Sequence, residues 1–353
     1  MSFDVRQFEG TPEDLAEFVV SAWKATYAGQ MAVPLWSADY FRWQLNLNAA
    51  DDCGLQFCAY HHQEPAGVML GIPTTVDLNG VHYEGLQASW LSVPTKFRGQ
   101  GVAAALNSAV TEYQRKSGRV LRIGYGYFGS TASLARRFWT KDHRTQTLRQ
   151  VGFWVRILDA RRAAAWNVSR LESALTGLAS PLLKPPRVRI PAGVTIRPVN
   201  DGDLDTCLDL VSDCTDDCRL KIVWNRSRLR RQLGLEGFSR TLVAECEGRV
   251  AGFICYHILP MLGRTEEPVG IIDLTAVRGL TGKARTALLN SVLVDLQQSG
   301  AILALKLRSG DYPATTFLQI GWTWKPADSD LLLNWPEPSA STLPIRKFHL
   351  LWR

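Results

Sequence analysis

One stretch constrains this chain more than any other: Val93-Pro94-Thr95-Lys96-Phe97-Arg98-Gly99-Gln100-Gly101-Val102-Ala103. A mostly apolar run, Leu86 to Val93, stops at Pro94. A short basic loop with two glycines follows, and small residues then open a helix that runs to about Gly118. Glycines let a backbone curl so that successive N–H groups converge, and a helix N-terminus adds partial positive charge. This is the layout of a phosphate cradle, with Lys96 and Arg98 placed to add full charge to it. It is neither of the two common nucleotide loops. No Lys-Ser/Thr follows the second glycine, and the third glycine of the dinucleotide fingerprint is missing.

The stretch does fit Gln/Arg-x-x-Gly-x-Gly/Ala, as Arg98-x-x-Gly101-x-Ala103. That is the pyrophosphate-binding motif of the GNAT superfamily of acyl-CoA-dependent N-acyltransferases, which this chain resembles. The context agrees: a strand ending Leu91-Ser92-Val93-Pro94 precedes the loop, a helix follows it, and a β-rich run from Val120 to Phe128 comes next. The resemblance implies an α/β (α+β) fold, a mixed and mostly antiparallel sheet flanked by helices. In that fold the strand before the loop carries a bulge and splays from its neighbour, leaving a slot for the pantetheine arm of the acyl-CoA. It therefore implies acetyl-CoA or another acyl-CoA as co-substrate and no metal. The backbone of Leu91, Ser92 and Val93 would lie against pantetheine. The N–H groups of Arg98, Gly99, Gln100, Gly101, Val102 and Ala103 would face pyrophosphate.

Read from the start, Phe3 to Phe8 predicts a strand. Thr11-Pro12-Glu13-Asp14 opens a helix, with threonine as N-cap, proline at the first helical position and acids in the first turn. Its apolar positions Leu15, Phe18, Val19 and Trp23 recur at three and four residues. A second helix is expected around Ser37 to Leu45. Leu55 to His61 and Gly67 to Val76 predict a hairpin through His62-Gln63-Glu64-Pro65, and Asn79-Gly80 turns the chain into the strand from His82 to Val93. After the loop helix come a strand Val120 to Phe128, a helix Thr131 to Trp139 and a closing strand Gly152 to Leu158. The order β-α-α-β-β-β-α-β-α-β is that of the resembled fold. Pro185-Pro186 then forbids helix and marks a boundary.

The second half starts over. Leu91-Ser92-Val93 recurs as Leu274-Thr275-Ala276, 183 positions on (274 − 91), and Leu106-Asn107-Ser108 recurs as Leu289-Asn290-Ser291 at the same offset. Gly152-Phe153 has its counterpart in Gly321-Trp322, 169 positions on. The chain thus reads as two tandem GNAT folds: residues 1–160 as an acyl-CoA-binding domain, 161–192 as a linker with a helix, and 193–353 as a degenerate second copy. The second loop, Arg278-Gly279-Leu280-Thr281-Gly282-Lys283-Ala284, puts Thr281 where Arg98 stands and Ala284 where Gly101 stands. One acyl-CoA site, in the first half, is the expectation. Mycothiol synthases and eukaryotic N-myristoyltransferases are tandem members that set this precedent. The latter use a terminal carboxylate as base, and Ile345 to Arg353, which reads as a last strand, is apolar enough to be buried.

The reaction class needs a base for the amine, donors for the developing oxyanion and an acid for the thiolate. Glu84 and His82 share one face of the central strand, and family bases on that strand favour Glu84. A solvated residue just after the Asn79-Gly80 turn is the competing account of Glu84. Tyr125 and Tyr127 share a face of the following strand. The family's usual tyrosine on the next helix has no counterpart among Ser130, Thr131 and Ser133, which leaves Tyr127 as the substitute acid, against plain aromatic packing. The oxyanion donor is expected to be the backbone N–H of Val93 or Leu91. His143 and Arg144 could line the slot mouth, although a solvated loop is the plainer account. Trp322 and Trp324 could line an acceptor pocket, with core packing as the default.

Composition narrows the rest. Seven scattered cysteines with no CxxC pair read as reduced thiols of a cytoplasmic protein rather than a metal site or a disulfide framework. The N-terminus has no signal-peptide pattern, and no apolar run approaches the ~20 residues of a membrane span. A net charge of +7 suits an anionic partner such as coenzyme A, and the dispersed basic residues argue against nucleic acid. The acceptor is expected to be a small-molecule or peptide amine, with a homodimer left open. A longer acyl donor and a non-catalytic CoA-binding or sensory module are the competing readings.

Overall fold

A computed structural model describes residues 2–47, 53–127, 138–139, 141–142, 144–179, 184–336 and 345–353. The chain begins with strand β1 (Asp4–Gln7), helices α1 (Pro12–Tyr27) and α2 (Ala38–Leu45), and strands β2 (Leu55–His61), β3 (Glu64–Leu78) and β4 (Val81–Ser92). Helix α3 (Val102–Ser117) follows, then strands β5 (Leu121–Tyr127), β6 (Thr145–Val151) and β7 (Phe153–Ile157), and helices α4 (Ala160–Trp166) and α5 (Arg170–Ala179). The next elements are β8 (Val194–Pro198), α6 (Leu204–Thr215), β9 (Leu220–Ile222), α7 (Arg226–Gln232), β10 (Arg240–Cys246), β11 (Arg249–Leu262) and β12 (Glu266–Ala276). Helix α8 (Gly282–Gln298), β13 (Leu303–Leu307), α9 (Ala314–Gln319), β14 (Thr323–Trp324), β15 (Ser329–Asn334) and β16 (Phe348–His349) complete it.

Local chemistry explains the element ends. Thr11 caps α1 in a capping box with Asp14, with Pro12 at the start, and the helix buries Leu15, Ala16, Val19 and Ala22. Ser37 caps α2, whose buried face is aromatic: Tyr40, Phe41 and Trp43. Three hairpins turn on residue pairs with positive φ at both positions: His62-Gln63, Asn79-Gly80 and Glu247-Gly248. Such turns match the right-handed twist of the strands they join.

The chain divides into two compact units. Met1–Val151, Asp328–Ile345 and Arg353 form the first; Gly152–Ala327 and Arg346–Trp352 form the second. The first unit's sheet runs β1-β2-β3-β4-β5-β15-β6, and the second's runs β14-β7-β13-β12-β11-β10-β8. Along these paths each has one parallel pair, β4–β5 and β12–β13, and each such pair is bridged by a crossover helix, α3 or α8. Both are mixed, mostly antiparallel sheets flanked by helices. In the first, Leu86, Met69, Leu106, Val102 and Val110 build a core under α3; in the second, Ile272, Leu288, Leu289, Val292 and Ala304 do so under α8.

The strand expected to close the first half is a correction. β7 pairs with β13 and β14 in the second sheet, while β15, from the far end of the chain, pairs with β5 and β6 in the first. The two copies exchange their closing strands. β6 itself, rich in Thr, Gln and Arg, carries too little apolar alternation to be expected from sequence. Of the last strand expected from Ile345 to Arg353, only Phe348–His349 pairs, with β9 in parallel. The helix expected over Thr131 to Trp139, apart from Phe138 and Trp139, and His143 lie outside the described residues. The seven cysteines are free thiols, and burial pushes Cys58 up to about 11 and Cys207 and Cys255 up to about 12.

Candidate functional site

The site is built on the end of β4. β4 pairs regularly with β3 as far as Leu70↔Ser89, and the ladder resumes at Val68↔Ser92. One residue too many is accommodated between them, and Trp90 takes it up with a φ of +55°. An aromatic residue in the left-handed region is strained and needs support. It gets it: Ser92 Oγ donates to the Trp90 carbonyl at 3.0 Å and accepts from Trp23 Nε1 of α1 at 3.0 Å.

On its other edge β4 pairs with β5 only from Gly85↔Leu121 to Gln87↔Ile123. On its far edge β5 stays paired with β15 from Arg122 to Tyr127, while its edge toward β4 carries no ladder beyond Ile123. The strands still approach closely at Ala88 and Gly124, and a slot opens past them, between Ser89–Ser92 on one wall and Tyr125–Tyr127 on the other. Carrying the register forward puts Tyr125 level with Ser89, and the extra residue at Trp90 ends the register there. Both tyrosines share the face of Ile123 and Gln87, opposite the α3 side taken by Leu86 and Arg122.

The slot leads straight to the loop. After Pro94 a single 3₁₀ turn, Thr95–Phe97, buries Phe97, and the backbone then curls through Gly99 at φ +74° and Gly101 at φ +90°. Gly101 is the N-cap of α3, and no side chain caps the helix there. The first α3 donor satisfied from within the helix is Ala105 N–H, on Gly101 O at 2.9 Å. The N–H groups of Val102, Ala103 and Ala104 therefore face outward with the helix's partial positive charge, as an anion site requires.

The two basic residues of the loop do something other than expected. Arg98 Nε donates to Val93 O at 3.0 Å, and its guanidinium also bonds Thr26 Oγ1 of α1. Lys96 is ion-paired with Glu64. Arg98 thus ties the end of β4 to α1 and fixes the loop's path. Gln100 adds a second tie, donating to Lys96 O at 2.7 Å.

Aromatic rings close one face of the slot. Trp90 meets Phe41 at 5.6 Å, Tyr40 at 6.1 Å and Trp36 at 6.4 Å between ring centroids, and Trp36 meets Trp23 at 5.0 Å. The Trp90 indole N–H is buried without a hydrogen-bond partner among the described residues. Ser89 Oγ donates to the main-chain oxygen of Arg353 at 2.9 Å, and the Arg353 guanidinium lies 5.2 Å from the Trp43 ring centre. On the α3 side, Arg122 is buried between two amides, Asn107 Oδ1 at 2.6 Å and Asn334 Oδ1 at 2.7 Å. Both amides reach on to Asp142, which Arg144 grips with two bonds. Burial works against the Asp142 charge, but Arg144 outweighs it and holds the carboxyl down at about 2.

The structure places Leu91, Ser92 and Val93 at the end of β4, directly before the loop from Arg98 to Ala103 that opens α3. Glu84 is not brought to it. It sits six residues before Trp90, ~20 Å along the strand, with its side chain 57% exposed and bonded to Thr75 and Arg119. Tyr127 stands at the other end of the paired strands. Trp322 packs in the second core, whereas Trp324 is exposed beneath Arg308. Sequence reasoning missed the aromatic wall of Trp36, Tyr40 and Phe41, for which the one signal was an unusual tryptophan count.

No family model and no curated protein matches the sequence. Solved structures do. The myristoyl-CoA-bound N-myristoyltransferase of Saccharomyces cerevisiae superposes with a TM-score of 0.72 at 13% identity, covering 94% of this chain and 82% of that one. The chain has the tandem GNAT fold. A protein of Enterococcus faecalis described as a probable N-acyltransferase gives 0.55 at 11% identity, over 96% of this chain and 74% of that one. A GCN5-related N-acetyltransferase from Kribbella flavida gives 0.53 at 16% identity, over 94% and 70%. No described helix is long and apolar enough to cross a membrane, and no cluster of metal-ligating side chains occurs among the described residues.

Proposed function

We propose that the chain is a cytoplasmic N-acyltransferase that moves an acyl group from acyl-CoA, with acetyl-CoA as the donor, to the amine of a small molecule or peptide. The observation that carries this reading is the continuity of three parts: a bulge, a slot whose walls have unladdered backbone, and an uncapped helix start at its mouth. Pantetheine would pair with the backbone of Leu91 to Val93, and pyrophosphate would take the N–H groups from Gly99 to Ala104. The acceptor nitrogen attacks the thioester carbon, and the carbonyl oxygen gains the charge that the Leu91 N–H can stabilise. The C–S bond breaks, and Tyr127, at the end of β5 beyond the last β4–β5 pair, would return a proton to the leaving thiolate. The amine's proton needs a separate acceptor, and Glu84 is too far along the strand to touch it.

That gap favours a second reading, a CoA-binding module without turnover. Calorimetric titration with acetyl-CoA, wild type beside Arg98→Ala, tests the shared premise. One site per chain is expected, weakened about tenfold or more when Arg98 no longer ties Val93 to Thr26. A stoichiometry of two, or equal binding by the variant, would sink the assignment. Release of free CoA thiol in the presence of an amine panel then separates the enzyme from the module.

A further inference from the structure

The slot has a floor and two faces. Its floor is the Gln87↔Ile123 pair, where the ladder between β4 and β5 resumes. On the α3 face Leu86, Met69 and Leu106 are at most 1% exposed, so nothing passes there without emptying the core. On the opposite face Trp90 closes against Trp36, Tyr40 and Phe41, none more than 6% exposed. Among the described residues the remaining direction, back along the slot, is the one pantetheine itself would occupy.

We infer that Trp90 is the gate that limits the length of the acyl group, so that the slot accepts short acyl chains of the acetyl class and excludes fatty ones. This rests on the acyl-CoA reading above. The thioester would reach the bulge end first, because pantetheine runs from the loop at Gly99–Ala103 back down β4. There the acyl group would meet the wall in which the Trp90 indole packs against Phe41, Tyr40 and Trp36. Its direction is not free to change. The left-handed backbone of Trp90 is held through Ser92 Oγ to Trp23, and the ring is held by three neighbouring rings. A long chain would have to displace a side chain whose backbone, rotamer and neighbours are all fixed, and a close-packed wall resists even one added methylene.

The test is a calorimetric series of CoA, acetyl-, butyryl-, octanoyl- and myristoyl-CoA on wild type, Trp90→Ala and Trp90→Phe. Wild type is expected to bind CoA and acetyl-CoA alike, and octanoyl- and myristoyl-CoA at least about tenfold more weakly. Trp90→Ala is expected to bring octanoyl-CoA to within reach of acetyl-CoA, while Trp90→Phe, which keeps a ring in the wall, keeps the wild-type order. If Trp90→Ala does not fold, Trp90→Leu carries the same arm. Wild type binding myristoyl-CoA as tightly as acetyl-CoA overturns the gate, as does a folded Trp90→Ala or Trp90→Leu with an unchanged order. Failure of CoA itself to bind is a different result, and it removes the acyl-CoA reading together with the gate.

Discussion

The two loop–helix junctions of this chain descend from one plan and end differently. In the first unit α3 begins at a glycine with φ +90° and no side-chain cap, and its first N–H groups are open. In the second unit α8 begins after Thr281, whose backbone is extended at φ −61°, ψ 158° and whose hydroxyl accepts from Ala284 N–H at 3.3 Å. The helix that resembles a phosphate binder has capped itself. Arg278, at the start of that second loop, is spent on Asp213 O, Cys214 O and Asp217. The slots differ in the same sense. β12 has its own bulge, at Asp273, but the β12–β13 ladder runs up to it at Ile272↔Lys306, and the Lys306 ammonium then donates to Asp273 O at 2.7 Å. Further along, Ser309 O takes the Phe348 N–H at 3.1 Å, and Asp311 bonds His349 at 2.6 Å. Where the first unit leaves backbone groups for a ligand, the second satisfies them from its own chain. A degraded motif is therefore only part of why one site is expected.

The largest test of that contrast is Gly101→Val against Gly282→Ala. Gly101 needs a left-handed backbone that a β-branched residue resists at a cost of ~1–3 kcal/mol, and any relaxation turns the N–H groups away from the anion. Acyl-CoA binding is expected to fall by about 100-fold or more. Gly282 has no positive φ and open space at its Cβ, so its variant should bind as wild type does. Matching losses in a titration would mean that both junctions hold ligand.

Charge burial gives the next comparison. The second unit places Lys306 and Asp311 within its filled slot, whereas the first holds the Arg122–Asp142–Arg144 network on the α3 side. The Asp142 carboxyl is depressed to about 2 in the fold, below the ~3.9 of an unfolded chain. A depressed carboxyl contributes stability that is complete above the unfolded value and is lost as pH falls toward the folded one. Asp142→Asn should thus cost about 2 kcal/mol at pH 6, with the gap to wild type closing between roughly pH 4 and pH 2. Denaturant unfolding across that range checks it; a gap that stays constant with pH would show that Asp142 acts by shape rather than charge.

The loop was legible because its requirements are local: positive φ favours glycine, and an anion site wants an uncapped helix. The repeat was legible for a related reason, since Leu106-Asn107-Ser108 and Leu289-Asn290-Ser291 keep one spacing when the helices between strand and strand keep one length. Strand exchange was not. β6 and β7 flank a single glycine, Gly152, and which sheet each joins depends on partners far away in sequence, where local pattern is silent. Glu84 failed for a similar reason. Its face on the strand was readable from alternation, but its distance from the bulge depended on where the β3–β4 ladder slips, a tertiary fact. Trp90 carries no sequence mark of its left-handed backbone, because that conformation is imposed by Ser92 and Trp23.

The smallest effect is the most discriminating for the second junction. Thr281→Ala removes one hydroxyl and one cap bond, which should cost ~1 kcal/mol if the threonine serves the helix alone. The same change should leave acyl-CoA affinity and stoichiometry where they were. The two readouts pull apart the two histories of this loop. If Thr281 had stayed part of a working anion site, freeing Ala284 N–H would restore an open donor, and a second, weak equivalent of CoA would appear in the titration. No second equivalent is expected, because Lys306 and the Phe348–His349 segment still fill the slot behind the loop. A stability loss without a second binding event is thus the outcome that ties the silence of this half to its filled slot rather than to its missing arginine.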